Sequence, residues 1–265
     1  MSVESIEFHE TCSKSAGVTH TGAKKKRAAA TGRRRNAAPS RYYCSMKLLY
    51  QTHSPYARKA LVFAHEVGLA SRLTVVHQET SPTLRNERVF AENPLGKVPV
   101  LLRPGAAAIF DSDVICGYFD TLHEGRKLIP AEGEIRWQAL RLQAVAQGLA
   151  EAGIAIRWET VRRPAQLRYP LLHDGYVEKL TCSYDWLESE LDVDSHLHVG
   201  HIAVATTLDW LEFRQLPGFR ERRPRLAAWF DEFAARASML ATPLSGETHD
   251  RTAAAVPVPP TRSAS

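Results

Sequence analysis

The order of the elements that follow Met46 constrains the fold of this chain more than any other sequence feature. Residues 47–50 are a short apolar run that predicts a β-strand, and Ser54 and Pro55 then supply the N-cap and first residue of a helix. A second apolar run at residues 73–76 predicts another strand. Because two parallel strands require a crossover connection, the helix completes a βαβ unit.

A β-hairpin and one more helix follow this unit. Residues 98–102 and 107–110 are apolar and flank an Arg-Pro-Gly turn, which is the pattern of a β-hairpin. Asp111 and Ser112 then cap a helix that has apolar residues on its inner face. Strand, helix, strand, hairpin and helix is the order of a thioredoxin-like domain. We predict such a domain for residues 46–125.

Only helices are predicted beyond this domain. Apolar residues recur at helical spacing within residues 135–156, 180–191 and 226–237. Residues 201–213 are apolar on nearly every side, which indicates a helix buried at the centre of a bundle. The predicted fold is therefore an α/β thioredoxin-like N-terminal domain followed by an all-α helical bundle at residues 126–244.

The two ends of the chain lack this apolar periodicity. Residues 1–45 combine Ser, Thr, Ala and Gly with basic residues, and residues 245–265 are rich in Ala, Pro, Thr and Ser. Neither segment can offset its ordering entropy by burial, so we predict that both are disordered tails.

The positive charge of the chain lies in the N-terminal segment. Residues 1–45 hold nine of the 34 Lys and Arg and three of the 29 Asp and Glu, so the rest has 25 against 26 and is nearly neutral. We read the basic runs at residues 24–27 and 33–35 as solvated charge, with a nuclear signal or a nucleic-acid arm as the alternative. Nucleic acid is therefore not a predicted partner.

Nothing in the sequence predicts export or membrane insertion. No run approaches the roughly 18–20 apolar residues that cross a bilayer, and the pattern of a signal peptide is missing. The four cysteines lack the spacing of a zinc site or a redox dithiol, and free thiols are typical of a reducing compartment. We therefore predict a cytoplasmic protein. These cysteines are Cys12, Cys44, Cys116 and Cys182.

Four segments resemble, in order and spacing, the motifs of one enzyme family. They are Thr-His-Ser-Pro-Tyr-Ala-Arg-Lys at residues 52–59, Asn-Pro-Leu-Gly-Lys-Val-Pro-Val-Leu at residues 93–101, Asp111-Ser112, and Arg-Leu-Ala-Ala-Trp at residues 225–229 with Ala-Thr-Pro at residues 241–243. Together they resemble a bacterial-type cytosolic glutathione S-transferase over residues 46–244. The resemblance implies glutathione as a co-substrate and a homodimer.

The resemblance assigns glutathione-binding roles to five residues. In this family the Val98-Pro99 bond is cis, and the backbone N–H and C=O of Val98 pair with the cysteinyl part of glutathione like an added strand. Lys97 would meet the glycyl carboxylate. Ser112 would bind the γ-glutamyl carboxylate, and Asp111, where the family usually has Glu or Gln, would pair with the ammonium group. The alternative readings are a strand that begins with proline and an ordinary N-cap.

Ser54 is the candidate catalytic residue. The loop reads Ser54-Pro55-Tyr56-Ala57 where glutaredoxins have Cys-Pro-Tyr-Cys, so dithiol chemistry is excluded at this loop. No His/Asp relay that would make the serine a nucleophile is evident. The hydroxyl can instead donate a hydrogen bond to the glutathione sulfur and stabilise its thiolate. Helix capping is the alternative role of Ser54, and Thr52 is the alternative hydroxyl donor.

Three histidines form a cluster that could hold a metal. His196, His198 and His201 could converge across a loop and a helix start, although we predict no metal. In the family this region begins the buried central helix, often with Ser or Thr as the N-cap and Asp three residues later. Here His198 and His201 occupy those positions, so the usual capping box is missing.

We expect the first domain to bind glutathione and the cleft against the second domain to bind an apolar electrophile. The resemblance implies a glutathione transferase, in which the glutathione thiolate attacks an electrophilic carbon. Two alternatives stay open. One is a glutathione-dependent isomerase, dehalogenase or peroxidase on the same fold, and the other is a non-catalytic interaction protein that has kept the fold.

Overall fold

The fold is taken from a computed structural model that describes residues 45–192 and 195–251. The predicted basic tail, except for its last residue, lies outside the described residues. Most of the predicted C-terminal tail lies outside them as well. Two of the four cysteines fall within the described part, where Cys116 is buried and Cys182 is exposed, and both are free thiols.

A four-stranded sheet forms the centre of the N-terminal part. Its strands are β1 (Met46–Tyr50), β2 (Leu73–His77), β3 (Val100–Arg103) and β4 (Ala106–Ile109), in the order β2-β1-β3-β4. β1 pairs with β2 in parallel and with β3 antiparallel, and β3 pairs antiparallel with β4. This topology confirms the predicted βαβ unit and hairpin, and it is that of a thioredoxin-like fold.

Two helices with side-chain N-caps cover the sheet. α1 (Pro55–Glu66) begins after Ser54, and Gly68 terminates it in the left-handed conformation with φ +72°. α3 (Ser112–Asp120) begins after Asp111, whose carboxylate accepts a hydrogen bond from a first-turn backbone N–H. Both N-caps are those that the sequence predicts.

Between β2 and β3 the structure has a short helix that the sequence pattern did not predict. α2 (Glu87–Phe90) is four residues long, begins at Asn86, and buries only Val89. A single buried side chain produces no helical period, so the hydrophobic pattern carried no signal for this element.

The C-terminal part is entirely helical. Its elements are α4 (Glu134–Arg157), α5 (Pro170–Glu190), α6 (Val199–Phe213), α7 (Pro224–Ala234) and α8 (Ala237–Leu240). α6 is buried along almost its whole length, as the sequence predicts, and packs against both α4 and α1. Among the described residues, no helix is both long enough and apolar enough to span a bilayer.

The predicted last helix at residues 226–237 is wrong at its end. The backbone of Arg236 is extended, with ψ 144°, so the helical segment divides into α7 and α8. Bonds to a distant helix hold this break, because the Arg236 guanidinium and the Ser238 hydroxyl both donate to the Glu66 carboxylate. The predicted domain boundary near residue 125 falls in the connection between α3 and α4 and stays a prediction.

Hydrogen bonds and an ion pair connect α1 and the loop before it to the C-terminal part. The Arg58 guanidinium, which is buried, pairs with Asp209 and donates from Nε to the backbone oxygen of Thr242 at 2.6 Å. The indole Nε1 of Trp210 donates to the backbone oxygen of His53 at 2.9 Å. These contacts fix the loop before α1 against α6, and so fix the position of Ser54.

Candidate active site

One cleft of about 840 Å³ collects all the site residues that the sequence predicts. The sheet-containing part contributes residues between Gln51 and Ser112, which we call the near wall. α4, the turn after it and Trp210 contribute the opposite side, which we call the far wall. The predicted residues that line this cleft are Ser54, Lys97, Val98, Pro99, Asp111 and Ser112.

Ser54 is the N-cap of α1 and lies on the near wall. Its Oγ accepts a hydrogen bond from the Ala57 backbone N–H at 3.2 Å, and the residue is 8% exposed. Among the described residues this is the only hydrogen-bond partner of the hydroxyl. An accepted bond leaves the Ser54 O–H free to donate, so helix capping and donation to a ligand are compatible roles.

Thr52, the alternative hydroxyl donor, is differently placed. It does not line the cleft, and its Oγ1 donates to the backbone oxygen of Ser245 at 2.8 Å. The backbone N–H of Ser245 in turn donates to the backbone oxygen of Thr52 at 3.2 Å. The geometry therefore favours Ser54 over Thr52 as a hydroxyl that faces a ligand.

The loop before β3 presents backbone groups to the cleft. The Val98-Pro99 bond is cis, as the sequence predicts. No described residue hydrogen-bonds the backbone N–H or C=O of Val98, whereas the Asn93 side chain holds the loop by donating to the backbone oxygen of Lys97 at 2.8 Å. Val98 therefore retains a donor and an acceptor for an extended ligand.

Gly96 allows this loop to turn back over α2. Its φ is +63°, and a Cβ at this position would overlap the ring of Phe90, which also lines the cleft. Both the conformation and the lack of space require glycine.

Asp111 and Ser112 bring the N-terminus of α3 to the same cleft. The Asp111 carboxylate accepts from the backbone N–H of Asp113 at 2.7 Å, and the fully buried Ser112 donates its hydroxyl to that carboxylate at 3.3 Å. A helix N-terminus attracts an anion through its free N–H groups and its dipole. Lys97 also lines the near wall and has no ion-pair partner among the described residues.

The sequence interpretation missed His53 as a cleft residue. It is 5% exposed, and neither ring nitrogen has a hydrogen-bond partner among the described residues. Burial lowers the pKa of His53 to about 4, although the Glu79 carboxylate 3.9 Å away opposes this shift. His53 is therefore neutral at pH 7. Its place directly before Ser54 in the loop was the only sequence signal.

Tyr56 is a second near-wall residue that was not singled out. Tyr56 is the second residue of α1 and lines the cleft, and burial raises the pKa of its phenol above the ordinary value. The group is therefore a neutral hydroxyl at pH 7, available as a hydrogen-bond donor in the cleft.

The far wall combines apolar and basic side chains. α4 ends in one wider π-helical turn, Trp158–Arg162, closed by a bond from the Arg163 N–H to the Trp158 oxygen at 3.0 Å. This turn directs Trp158 and Arg162 to the cleft beside Ile154. The Arg162 guanidinium stacks on the Trp158 ring at 4.1 Å. One face thus offers both an apolar surface and fixed positive charge.

Residues 245–251, which we call the strap, run across the cleft between its two walls. The Asp250 carboxylate accepts from Arg162 on the far wall and, through Oδ1, from Thr83 on the near wall at 3.0 Å. The backbone N–H of Arg251 also donates to Thr83 Oγ1 at 3.0 Å. The sequence placed this segment in a disordered tail and did not anticipate these contacts.

The histidine cluster lies away from the cleft. The rings of His198 and His201 stack at 3.8 Å, and His201 Nε2 lies 3.2 Å from the backbone oxygen of Asp192. Within residues 45–192 and 195–251, no three His, Cys, Asp or Glu side chains are grouped as metal ligands. His198 is the N-cap of α6 without a side-chain capping bond, as the missing capping box predicts.

Comparison with known proteins agrees with this geometry. Residues 53–122 match the model of the glutathione S-transferase N-terminal domain. The chain is 30% identical over 204 residues to the uncharacterized GST-like protein YibF of Escherichia coli strain K12, a match that covers 74% of this chain and 98% of that protein.

Solved structures give the same result. A glutathione transferase family member from Pseudomonas fluorescens Pf-5 with bound glutathione is 35% identical, with a TM-score of 0.73 over 76% of this chain and 100% of that one. A structure from the same organism with bound S-(propanoic acid)-glutathione is 36% identical, with a TM-score of 0.69 over 75% and 98% of the chains. The chain described here is a member of the glutathione S-transferase family.

Proposed function

We propose that this protein is a glutathione transferase whose near wall binds glutathione and stabilises its thiolate. The observation that carries the proposal is the convergence of three elements on one cleft. They are the Ser54 hydroxyl, the unpaired backbone of Val98 and the N-terminus of α3. The Pseudomonas fluorescens relative with bound glutathione supports the same ligand here.

Each part of glutathione has a complementary group on the near wall. The backbone N–H and C=O of Val98 can pair with the cysteinyl residue as an added strand does. Ser112 and the α3 N-terminus can bind the γ-glutamyl carboxylate, with Asp111 beside the ammonium group. Lys97 can pair with the glycyl carboxylate. Both hydrogen bonds that Asp111 accepts within the described residues end on Oδ1, so Oδ2 can accept from the ammonium group.

The chemical step that we propose is attack of the glutathione thiolate on an electrophilic carbon. The sulfur–carbon bond forms as the leaving group departs with its electron pair. A free thiol has a pKa near 8.5, and each unit of lowering corresponds to about 1.4 kcal/mol of thiolate stabilisation. The Ser54 O–H and the N-terminus of α1 can supply this amount together. Ser54 therefore acts as a hydrogen-bond donor and not as a nucleophile.

The second substrate binds, in this proposal, against the apolar part of the far wall. Ile154, Ala155 and Trp158 line the cleft there. These side chains suit an apolar body on the electrophile. The homodimer that the family resemblance implies and the cytoplasmic location that the sequence signals favour both stay predictions.

Titration calorimetry of glutathione into the full chain tests the proposal, with Ser112→Ala, Ser54→Ala and Ser189→Ala measured in parallel. We expect Ser112→Ala to weaken binding about tenfold, since hydrogen bonds to charged groups contribute about 1.5–3 kcal/mol. Ser54→Ala should retain binding, because its hydroxyl faces the sulfur. Ser189 is an exposed serine of α5 outside the cleft and serves as the matched control.

Two contrary results would have different consequences for the proposal. If the parent protein does not bind glutathione at millimolar concentration, the transferase proposal fails and the non-catalytic alternative takes its place. If Ser112→Ala and Ser189→Ala bind glutathione equally well, the assignment of the α3 N-terminus is wrong.

A further inference from the structure

Three arginines stand close together where the far wall meets the strap. Their side chains are largely withdrawn from solvent, with exposed fractions of 12% for Arg157, 9% for Arg162 and 2% for Arg214. Burial lowers the pKa of Arg157 to about 10, and the positive charge of nearby Arg214 contributes to this shift. Buried like charges are costly unless anions compensate them, so this arrangement has the composition of an anion site.

The strap supplies the carboxylates that now face these arginines. Asp250 accepts a bidentate pair from Arg162, Nε to Oδ2 and Nη2 to Oδ1, both at 2.7 Å. Glu247 accepts from Arg214 at 2.7 Å and from Arg157 at a longer 3.4 Å. The paired N–H donors of a guanidinium match the two oxygens of a carboxylate, and Arg162 binds the Asp250 carboxylate in this bidentate geometry.

The pairing is incomplete. Three guanidinium groups face two carboxylates, and the buried Nε and Nη2 of Arg214 have no hydrogen-bond partner among the described residues. Within residues 45–192 and 195–251, the hydrogen bonds of the Arg157 guanidinium are the 3.4 Å contacts to Glu247 and to the Thr248 hydroxyl. Glu151 is also on this wall, but it is exposed and accepts from Gln147, on its own helix. Arg214 does not line the cleft, so the capacity for a further anion on the cleft side rests on Arg157 with its two long contacts.

This anion site opens into the cleft that contains Ser54. Arg157 and Arg162 line that cleft directly, together with the apolar Ile154 and Trp158. Glu247, which faces Arg157, is largely exposed, with 72% of its side chain accessible to solvent. Glu247 contacts Arg157 at 3.4 Å and Arg214 at 2.7 Å, so the exposed contact with Arg157 is the one that another carboxylate replaces more readily.

We propose that the electrophile carries a carboxylate, which Arg162 and Arg157 bind in place of the strap carboxylates of Asp250 and Glu247. The proposal rests on the transferase function and names its substrate class, an apolar body with an acid group. In this proposal the carboxylate of the electrophile pairs with the two arginines, and its apolar body packs on Trp158. The reacting carbon then faces the sulfur of glutathione. The acidic strap competes with the substrate for the same arginines.

A matched pair of conjugates tests this proposal by binding alone. The two ligands are S-(para-carboxybenzyl)glutathione and the conjugate whose benzoate carboxylate is a methyl ester, so they differ in the charge of that group. Calorimetry measures the affinity of the full chain for each. We expect the acid to bind about tenfold more tightly than the ester, the effect of a charged hydrogen bond. In Arg162→Gln this preference should disappear, while the affinity for glutathione itself stays unchanged.

Two further variants test whether the preference for the acid depends on charge in the cleft or on the net charge of the protein. Arg163→Gln removes the same charge one residue later, from a side chain that pairs with Glu159 and lies outside the cleft. It should keep the preference for the acid. Asp250→Asn removes the competing carboxylate, so it should increase the affinity for the acid conjugate and leave that for the ester unchanged.

The same two conjugates are the products of a turnover pair, in which the electrophiles are para-(chloromethyl)benzoate and its methyl ester. Attack of the thiolate on para-(chloromethyl)benzoate forms the sulfur–carbon bond while chloride leaves with the electron pair of the carbon–chlorine bond. The kcat/KM for the acid should fall about tenfold in Arg162→Gln, in line with the loss of one charged hydrogen bond, and the kcat/KM for its methyl ester should not change.

Each contrary outcome has a distinct meaning. Equal affinities of acid and ester for the parent protein, or a preference that survives in Arg162→Gln, would overturn the inference and leave the transferase proposal intact. If Arg162→Gln weakens glutathione and both conjugates alike, Arg162 binds glutathione itself and the inference is wrong. If the parent binds no glutathione, the proposed function fails first.

Discussion

The two walls of the cleft differ in what presents their polar groups. On the near wall, backbone groups and helix ends face the ligand, through Val98 and the caps at Ser54 and Asp111. On the far wall, long side chains do so, and the charges of Arg157 and Arg162 are balanced by a segment from another part of the chain. The near wall is thus set by local chain geometry and the far wall by long-range contacts.

The difference fits a division of labour between a constant and a variable ligand. Glutathione is a peptide, and main-chain groups recognise a peptide independently of most side chains. The second substrate has no backbone to pair with, so only side chains can select it. Substitutions that distort the near-wall backbone should therefore impair glutathione binding, whereas far-wall substitutions should change the choice of electrophile.

The largest expected effect comes from distorting the near-wall loop with Gly96→Ala. The new Cβ would meet the Phe90 ring and would hold a positive φ, so the free energy of unfolding should fall by about 2–4 kcal/mol. Because the loop carries Val98, the affinity for glutathione should fall as well. Chemical denaturation and glutathione titration measure the two effects.

Gly105→Ala is the matched control for this substitution. Gly105 has a φ of +70°, close to that of Gly96, but a Cβ there meets nothing within 4 Å. It should cost only the strain of about 1–2 kcal/mol and leave glutathione affinity unchanged. Equal effects of the two substitutions on glutathione binding would show that the near-wall backbone does not determine recognition.

Acid should affect the near wall and the strap in separate pH ranges. Burial holds the pKa of His53 near 4, below its usual 6.5, so the stability contributed by the neutral ring is present above pH 6.5 and is lost as the pH falls through 4. The pKa of Asp250 is about 2, lowered first by Arg162, so its contribution is present above 3.8 and is lost as the pH falls through 2.

Denaturation at a series of pH values separates these contributions. Between pH 6.5 and 4, the free energy of unfolding of His53→Gln should decline less steeply than that of the parent, by at most about 1.4 kcal/mol per pH unit. Asp250→Asn should follow the parent slope in this range. A His53→Gln slope that equals the parent slope would contradict the buried, neutral histidine.

The sequence predicted the near wall because its signals are local. Ser54 directly before Pro55 indicates an N-cap, and Asp111 before Ser112 does so again. The motif around Val98 and Pro99 adds a family resemblance to these local signals. Each feature depends on two or three adjacent residues, so the elements and the placement of the six site residues in one cleft followed from the sequence.

The far wall and the strap were not predictable in the same way. Asp250 and Arg162 are 88 positions apart, and no periodic pattern relates them. The small polar residues of this segment predict a disordered tail, whereas Glu247 and Asp250 pair with buried arginines. The break at Arg236 has a similar cause, because Glu66, which holds it, is 170 positions away. Long-range ion pairs leave no local signal.

The most direct test of the account is the pKa of the glutathione thiol bound to the parent, to Ser54→Ala and to Thr52→Val. Thiolate absorbance, followed against pH at saturating glutathione, measures it. The bound thiol should ionise below the pKa of free glutathione. In Ser54→Ala its pKa should rise by about one unit, or about 1.4 kcal/mol, while Thr52→Val should match the parent. A bound thiol whose pKa is the same in the parent and in Ser54→Ala would contradict the account.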